Sequence, residues 1–279
     1  MAGVTIKLFL PKGDAQSLRT AELVNWTGKA LAGPRSQLDD LLTREELTKS
    51  GVYILLGVDP DTGKQAAYIG EAEVVRDRLK QHRDKEFWIH AIAFVSKDEN
   101  LTKSHIRYLE GRLIEEAEKI GRFIVMNGQA SGSKLPESDR EDMEVFLGRI
   151  VQLLPVLGCD LLTPILDAVG GTGKFRLSGK SKGASAQGQR TAKGFVVFAD
   201  SEAVAELRPS APPGVIETRE KLQQDGTFVE HGGKLRFTRD TEFSSPSMAG
   251  AVICGGHVNG LTFWKDKNGR ELKEIEAGS

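Results

Sequence analysis

Two short runs of apolar, β-branched and aromatic residues, separated by a cluster of turn formers, constrain the fold of this chain more than any other feature. The runs are residues 51–58 and 66–70, and residues 59–63 (DPDTG) lie between them. β-branched and aromatic residues favour strands, whereas Asp, Pro and Gly favour turns. The pattern predicts a β-hairpin with a loop longer than two residues.

The hairpin brings two tyrosines near each other. A turn centred on Pro60 and Asp61 places Tyr53 directly opposite Tyr68 on the same face, with their Cβ atoms about 5 Å apart. A slip of one residue in register would put the two rings on opposite faces. Such pairs often only pack a sheet, so the hairpin alone leaves a packing role and a functional role open.

Residues 74–83 have the periodicity of a helix that carries Arg78 and His82 on one side. Val75, Leu79 and His82 follow the i, i+4, i+7 pattern. Arg78 and His82 are themselves four residues apart and share one patch of the helix surface. The pair on its own is compatible with a structural role as well as a catalytic one.

A second helix carries a carboxylate in an apolar stripe. Asn100 or Thr102 can cap this helix, and Glu110 lies within its stripe. The stripe consists of Ile106, Leu109, Leu113, Ile114 and Ala117. A carboxylate in apolar surroundings is costly unless it is paired, protonated or bound to a cation. Glu110 is therefore either a metal ligand or the partner of Arg78 or Arg107 in a salt bridge.

Taken together and in this order, these residues resemble the GIY-YIG nuclease superfamily over roughly residues 46–130. The matching positions are Gly51-Val52-Tyr53, Tyr68-Ile69-Gly70, Arg78, His82, Glu110 and Asn127. The resemblance implies an α+β fold, with a core of a small antiparallel sheet flanked by helices. A strand within residues 87–96 would be the third of that sheet. Val52 replaces the central Ile of the first motif, and the two tyrosines lie further apart than in compact members.

The resemblance also implies an enzyme, a hydrolase that cuts phosphodiester bonds in DNA as a metal-dependent endonuclease. In that scheme Glu110 holds one Mg²⁺ (or Mn²⁺), which binds phosphate oxygen and keeps most of its waters. Arg78 offers its planar guanidinium to the scissile phosphate.

The remaining matched residues would handle the proton of the attacking water. Tyr53 or Tyr68, assisted by the other phenol or by His82, accepts or relays it, and Asn127 frames the site. Because an unperturbed phenol titrates near 10, a base role requires Arg78 or a metal to lower the pKa of that phenol. Two alternatives stay open: a catalytically silent DNA-binding or modification-sensing protein on the same scaffold, and an RNA-directed nuclease.

Composition limits the class of protein. The 279 residues give room for two or three domains, and 39% hydrophobic with 28% charged residues is typical of a globular protein. No apolar run approaches the length of a membrane span, and no signal-peptide pattern is visible, so a cytoplasmic protein without a membrane partner is expected. The resemblance to the GIY-YIG nucleases implies a bacterial protein. Cys159 and Cys254 are isolated and share no metal spacing, which favours a reducing compartment.

The sequence suggests four segments. They are an N-terminal extension packed on the core (1–45), the nuclease domain (46–135), a helical connector (136–170) and a C-terminal accessory domain (171–279) with a small mixed α/β fold. Parts of the last segment resemble an uncharacterised domain commonly fused to bacterial GIY-YIG proteins, and a small domain of restriction and DNA-modification systems. The parts that carry this resemblance are Phe243-Ser-Ser-Pro-Ser247, Asn259-Gly260 and Phe263-Trp264-Lys265.

Within that segment, Asn259-Gly260 predicts a tight turn that leads into residues 261–265. Phe263 and Trp264 are expected in the core rather than as a platform for bases.

A basic stretch precedes these pieces. Residues 174–193 contain six basic residues and no acidic one, a pattern compatible with a nucleic-acid contact or with a solubilising linker. The basic residues are Lys174, Arg176, Lys180, Lys182, Arg190 and Lys193. The formal net charge of −1 does not oppose binding to nucleic acid, because binding needs a local patch only. A homodimer is also compatible with the sequence.

Overall fold

A computed structural model describes residues 3–127, 132–164, 174–177, 183–191 and 193–277. Within these ranges the protein has an α+β fold, as the sequence predicts. No helix in the described parts is both long enough and apolar enough to cross a bilayer.

The chain divides into two units, Met1–Thr163 and Pro164–Ser279. The predicted helical connector lies mostly in the first unit, and its helix packs into the core of that unit. The finer division into four segments stays a prediction.

The first unit is built on one sheet, which has seven strands in the described residues. The strands are β1 (Ile6–Phe9), β2 (Arg19–Leu23), β3 (Gly28–Pro34), β4 (Gly51–Val58), β5 (Gln65–Ala72), β6 (Trp88–Ser96) and β7 (Ile124–Val125). Their order across the sheet is β1-β2-β3-β6-β4-β5-β7, and β7 alone pairs in parallel. The predicted three strands β6-β4-β5 therefore form the middle of a larger sheet. Residues 1–45 supply strands that continue this sheet from β6, through the pairing of β3 with β6.

Four α-helices in the described part of the first unit cover the two faces of this sheet. They are α1 (Leu38–Leu42), α2 (Val75–Gln81), α3 (Lys103–Ile120) and α4 (Glu137–Leu153). On β4, Val52 and Ile54 join the core under α3 and α4, whereas Tyr53 and Leu55 join the core under α1 and α2. This period of two is the one expected for a strand that is buried on both faces.

The helix α3 forms as predicted. Thr102 caps it by accepting a hydrogen bond from the backbone N–H of His105, whose side chain accepts one in return from the N–H of Thr102. The predicted apolar stripe of α3 is buried in the core that also contains Phe146 and Ile150 of α4.

The register of the hairpin differs from the predicted one. Tyr53 pairs with Gly70, and Leu55 pairs with Tyr68, so the tyrosines are diagonal neighbours rather than directly opposed. They remain on the same face, and their ring centroids lie 6.2 Å apart. The prediction of a shared face is confirmed, and the prediction of direct opposition is wrong.

The loop explains the difference. The backbone N–H of Asp59 donates to the carbonyl of Lys64 at 2.8 Å, and the N–H of Gly63 donates to the carbonyl of Asp59 at 2.8 Å. Gly63 has a φ of +65°, which glycine adopts without strain. The turn is therefore centred between Asp61 and Thr62, one residue later than predicted. Moving the centre by one residue shifts each cross-strand partner by two, which keeps every side chain on its face.

The second unit contains two sheets in its described residues, β14-β10-β9-β8-β15 and β11-β13-β12. The strands are β8 (Phe175–Leu177), β9 (Ala186–Arg190), β10 (Phe195–Val197), β11 (Glu202–Val204), β12 (Phe228–His231), β13 (Lys234–Phe237), β14 (Thr241–Phe243) and β15 (Trp264–Lys265). The helices are α5 (Pro213–Gln224), α6 (Pro246–Cys254), α7 (Gly260–Phe263) and α8 (Leu272–Ala277).

The tight turn predicted at Asn259-Gly260 is the start of a helix in the structure. Asn259 instead caps the one-turn helix α7, because its side-chain oxygen accepts a hydrogen bond from the N–H of Leu261 at 3.1 Å. Gly260 allows the close approach of the α6 backbone, where a Cβ would lie 2.2 Å from the carbonyl carbon of Pro246. Trp264 is fully buried and donates its indole N–H to the carbonyl of Pro246, so its predicted place in the core is confirmed.

Arg219 of α5 is a buried cation that satisfies carbonyl groups of other elements. Its Nε donates to the carbonyl of Val252 at 2.8 Å, and its Nη2 donates to the carbonyl of Val204 at 2.6 Å. Its Nη1 donates to the carbonyl of Ala205 at 3.1 Å. The side chain therefore ties α5 to the last turn of α6 and to the end of β11.

Arg219→Met should destabilise the second unit. The methionine fills part of the space but leaves three carbonyl groups without their donors, so we expect a loss of about 3 kcal/mol in the free energy of unfolding. Urea unfolding followed by circular dichroism measures this loss. The control Arg239→Met removes an exposed arginine that pairs with Asp225 and should change stability by no more than about 0.5 kcal/mol. Equal stability of the two variants would contradict the role of Arg219.

Candidate active site

A polar cleft of about 420 Å³ brings together four of the six residues that the sequence singles out. Tyr53 and Tyr68 reach it from the hairpin, Arg78 from α2 and Glu110 from α3. The cleft lies at the end of β5 that β7 leaves uncovered, since β7 pairs only with residues 66 and 67.

The ring of Tyr53 is fully buried and lies against Gly70 of the neighbouring strand. A Cβ on Gly70 would be 2.3 Å from the Tyr53 hydroxyl and 2.4 Å from Cζ, so any other residue would displace the ring. The hydroxyl is 2.7 Å from Nε2 of His82. The glycine therefore fixes where the phenol meets the imidazole.

His82 ends α2 and is almost completely buried. The indole N–H of Trp88 donates to its carbonyl at 2.9 Å, and its Nδ1 has no hydrogen-bond partner among the described residues. Burial lowers the pKa of His82 to about 4, and the charges of Lys85 and Arg78 act in the same direction. The imidazole is thus neutral at pH 7, and it can accept a proton from the Tyr53 hydroxyl or donate one to it.

The pKa of Tyr53 is raised above its usual value. Burial is the main cause and the neighbouring phenol of Tyr68 adds to it, whereas Arg78 opposes the shift. The expectation that Arg78 lowers the pKa of a base tyrosine is therefore not met at Tyr53, because desolvation of the phenolate outweighs the attraction of the guanidinium.

Arg78 binds the phenols rather than a carboxylate in the described parts of the chain. Its Nε donates to the Tyr53 hydroxyl at 3.3 Å, and its Nη1 donates to the side-chain oxygen of Gln81 at 2.8 Å. It also interacts with the hydroxyl of Tyr68. The side chain is exposed, so its guanidinium can contact a ligand in the cleft.

Glu110 is half-buried on α3 and lines the cleft together with Glu71 of β5. Glu71 is held by Lys103 at 2.8 Å and lies 3.9 Å from Nε of Arg107. The described residues contain no group of three or more His, Cys, Asp or Glu side chains that could hold a metal ion. Mg²⁺ commonly uses one or two carboxylates and retains several waters, so the carboxylate oxygens here have the chemistry of its donors.

The side chain of Asn127 binds the backbone of Ile69 instead of lining the cleft. Its Oδ1 accepts a hydrogen bond from the N–H of Ile69 at 2.9 Å, and its Nδ2 donates to the carbonyl of Ile69. The side chain thus continues the parallel pairing of β7 with β5 by one more step. It fixes the strand between Tyr68 and Gly70, which is consistent with a framing role.

Sequence reasoning missed Glu71, Lys85 and Lys103. The signal for Glu71 was present, because a period of two from Ile69 puts it on the face of β5 that α3 covers. Lys103 begins α3 and pairs with Glu71, a contact between residues 32 apart in sequence. No local pattern marks such a pair.

Two of the basic residues that the sequence suggests as nucleic-acid contacts interact with other side chains of the second unit. Nζ of Lys174 lies 5.3 Å from the ring centroid of Phe198, and Nε of Arg190 lies 2.9 Å from a carboxylate oxygen of Glu276. Their role as nucleic-acid contacts stays a prediction. The other candidates are Arg176 and Lys193, which are exposed, and Lys180 and Lys182, which lie outside the described residues.

Comparison with known families bears on the second unit alone. Residues 175–276 match the family described as a domain of unknown function, DUF4357. No curated protein and no solved structure matches the chain. The expected likeness of the C-terminal segment to an uncharacterised domain is confirmed, and the resemblance of residues 46–130 to the GIY-YIG nucleases stays a prediction.

His82 should make the stability of the protein depend on pH. The unfolded chain binds a proton on His82 near pH 6.5, whereas the folded protein binds it only near pH 4. Stability is therefore full above pH 6.5 and falls as the pH drops to about 4, by up to about 3 kcal/mol. Urea unfolding at several pH values in this range should show a smaller loss of stability for His82→Gln than for the wild type. Both proteins contain His90, so this second histidine does not account for the difference. The same pH dependence in both would contradict the buried neutral imidazole.

Proposed function

We propose that the first unit is a metal-dependent endonuclease that hydrolyses phosphodiester bonds in nucleic acid, most readily DNA. The proposal agrees with the resemblance to the GIY-YIG nucleases. The observation that supports it is that two phenols, the guanidinium of Arg78 and the carboxylate of Glu110 line one cleft. In this proposal the protein acts in the cytoplasm of a bacterium, where the thiols of Cys159 and Cys254 stay reduced.

Arg78 would bind the scissile phosphate. Its guanidinium is exposed towards the cleft and is oriented by Gln81 and Tyr53. Negative charge on the phosphate oxygens grows during hydrolysis, and a preoriented cation stabilises it without reorganisation. A planar fork with two parallel donors suits phosphate better than the single point charge of a lysine.

Tyr68 is the better candidate to take the proton of the attacking water. Its ring is only partly buried and lines the cleft, whereas Tyr53 is fully buried and has a raised pKa. Tyr53 would instead hold Arg78 through its hydroxyl, which the neutral imidazole of His82 orients. The two phenol rings lie on the same face of the hairpin, with their centroids 6.2 Å apart.

Glu110 would hold the metal ion, with Glu71 beside it as a second oxygen donor on the wall of the cleft. A bound Mg²⁺ or Mn²⁺ supplies charge neutralisation at the phosphate and lowers the pKa of a bound water. Among the residues that match the nuclease motifs, Asn127 alone would act indirectly, by holding the backbone of β5 in place.

Cleavage assays test the proposal directly. Purified protein is incubated with plasmid DNA and with structured RNA, in Mg²⁺, in Mn²⁺ and in a chelator. Glu110→Ala should reduce cleavage at least about 100-fold because the metal loses its carboxylate. Arg78→Lys should lose most of the activity although it keeps the charge. The exposed Glu118 lies on the same helix, and Glu118→Ala should cleave like the wild type.

The outcomes separate the candidate functions. Cleavage of RNA but not DNA would favour the RNA-directed nuclease. Binding without cleavage under every condition would favour a silent DNA-binding or modification-sensing protein. Wild-type cleavage by Glu110→Ala in Mg²⁺ would refute the metal assignment.

The two tyrosines should differ in what they control. Tyr68→Phe should reduce the cleavage rate by about 100-fold or more with little change in stability, since it removes a proton acceptor from the cleft. Tyr53→Phe should lower the free energy of unfolding by about 1–2 kcal/mol, because it leaves His82 without a partner, and should slow cleavage less. Rates at several pH values and urea unfolding measure both effects. A wild-type rate for Tyr68→Phe would mean that this tyrosine only packs the sheet.

A further inference from the structure

Lys85 places a positive charge beside Tyr68, which lines the cleft, although Lys85 belongs to none of the sequence motifs. Its Nζ lies 4.6 Å from the ring centroid of Tyr68, over the face of the phenol. Its charge is also one of the causes that lower the pKa of His82. The side chain is exposed, and no described carboxylate lies within ion-pair distance of it.

Lys85 and Arg78 thus form a pair of cations around Tyr68 and His82. Neither is neutralised by a carboxylate among the residues that the structure describes, and both oppose protonation of the imidazole. Two cations beside one group raise the local potential there, and a bound anion lowers it, although Glu71, Glu73, Asp77 and Glu110 also line the cleft. Arrangements that shift a pKa without a structural counter-ion are typical of functional sites.

Lys85 does not sit on a loose loop. Arg35, which follows β3, donates from its guanidinium to the carbonyls of Arg83 at 2.7 Å, Trp88 at 3.3 Å and Lys85 itself. The guanidinium also lies over the indole of Trp88, 4.9 Å from its centroid. Since Trp88 holds the carbonyl of His82, one arginine and one tryptophan fix the whole turn from 82 to 88.

We propose that Lys85 binds the phosphate next to the scissile one, and that Arg35 is a positioning residue that presents this lysine. This inference rests on the proposed function, because it takes Arg78 as the contact to the scissile phosphate. The substrate is then a polynucleotide strand with at least two consecutive phosphates, and a mononucleotide ester binds poorly. The preference for a chain follows because two cations, held by different segments, would each bind one phosphate.

Binding measured without cleavage tests the contact. A fluorescein-labelled mixed-sequence DNA duplex is titrated with full-length protein in a chelator at several salt concentrations. Lys85→Met should bind more weakly and reduce the slope of log K against log salt by about 0.9, the value for one phosphate contact. Lys7→Met removes an exposed lysine on β1, at the far edge of the sheet, and should change neither quantity.

Titration of His82 by NMR, in protein without nucleic acid, tests the geometry. Lys85→Met should raise the pKa of His82 because a neighbouring cation is lost. Arg35→Lys should also raise it, because one ammonium cannot hold three carbonyls and Lys85 then moves away from Tyr68. Arg35→Met should give the same rise in the His82 pKa, provided that circular dichroism shows this variant to be folded. An unchanged His82 pKa in Lys85→Met would overturn the placement of Lys85.

The two proposals fail in different ways. Protein that binds the duplex with the Lys85-dependent slope but never cuts it refutes the endonuclease and supports the phosphate contact. Lys85→Met with the wild-type salt slope refutes the phosphate contact, whether or not the wild type cuts DNA.

Discussion

The contact between Tyr53 and Gly70 is the interaction on which the rest of the candidate site depends. Register places the tyrosine opposite a residue without a side chain, so the ring lies flat against the neighbouring strand and its hydroxyl reaches His82. The hydroxyl also accepts from Arg78, which orients the cation. A single register step therefore determines the positions of a phenol, an imidazole and a guanidinium.

Burial and charge act in opposite directions within this network. Burial keeps Tyr53 protonated and His82 neutral, although Arg78 favours the phenolate. The result is a hydrogen-bonded pair that carries no charge of its own. The positive charge beside this pair lies on Arg78 and Lys85, which are exposed and therefore accessible to a phosphate.

Much of this could be predicted from periodicity, and the rest depends on contacts between distant residues. Period two in the hairpin and the 3.6-residue period of α3 correctly assigned the faces of Tyr53 and Glu110. The centre of the turn was wrong by one residue because Gly63 closes the loop through hydrogen bonds that its composition does not specify. The hydrogen bond from Arg35 to the carbonyl of Lys85 could not be predicted from a sequence pattern. The two residues lie 50 positions apart, and a backbone carbonyl has no sequence signature.

The charges of the described residues also bear on where nucleic acid would be bound. In the second unit, Arg190 pairs with Glu276 and Lys174 rests on Phe198, so part of the basic stretch is already engaged. In the first unit, Arg78 has no counter-ion among the described residues. A phosphate gains more from a cation that has no carboxylate to give up, because no existing ion pair must be broken first. Phosphate binding should therefore depend more on the cleft than on the basic stretch, although the basic stretch is the more conspicuous feature of the sequence.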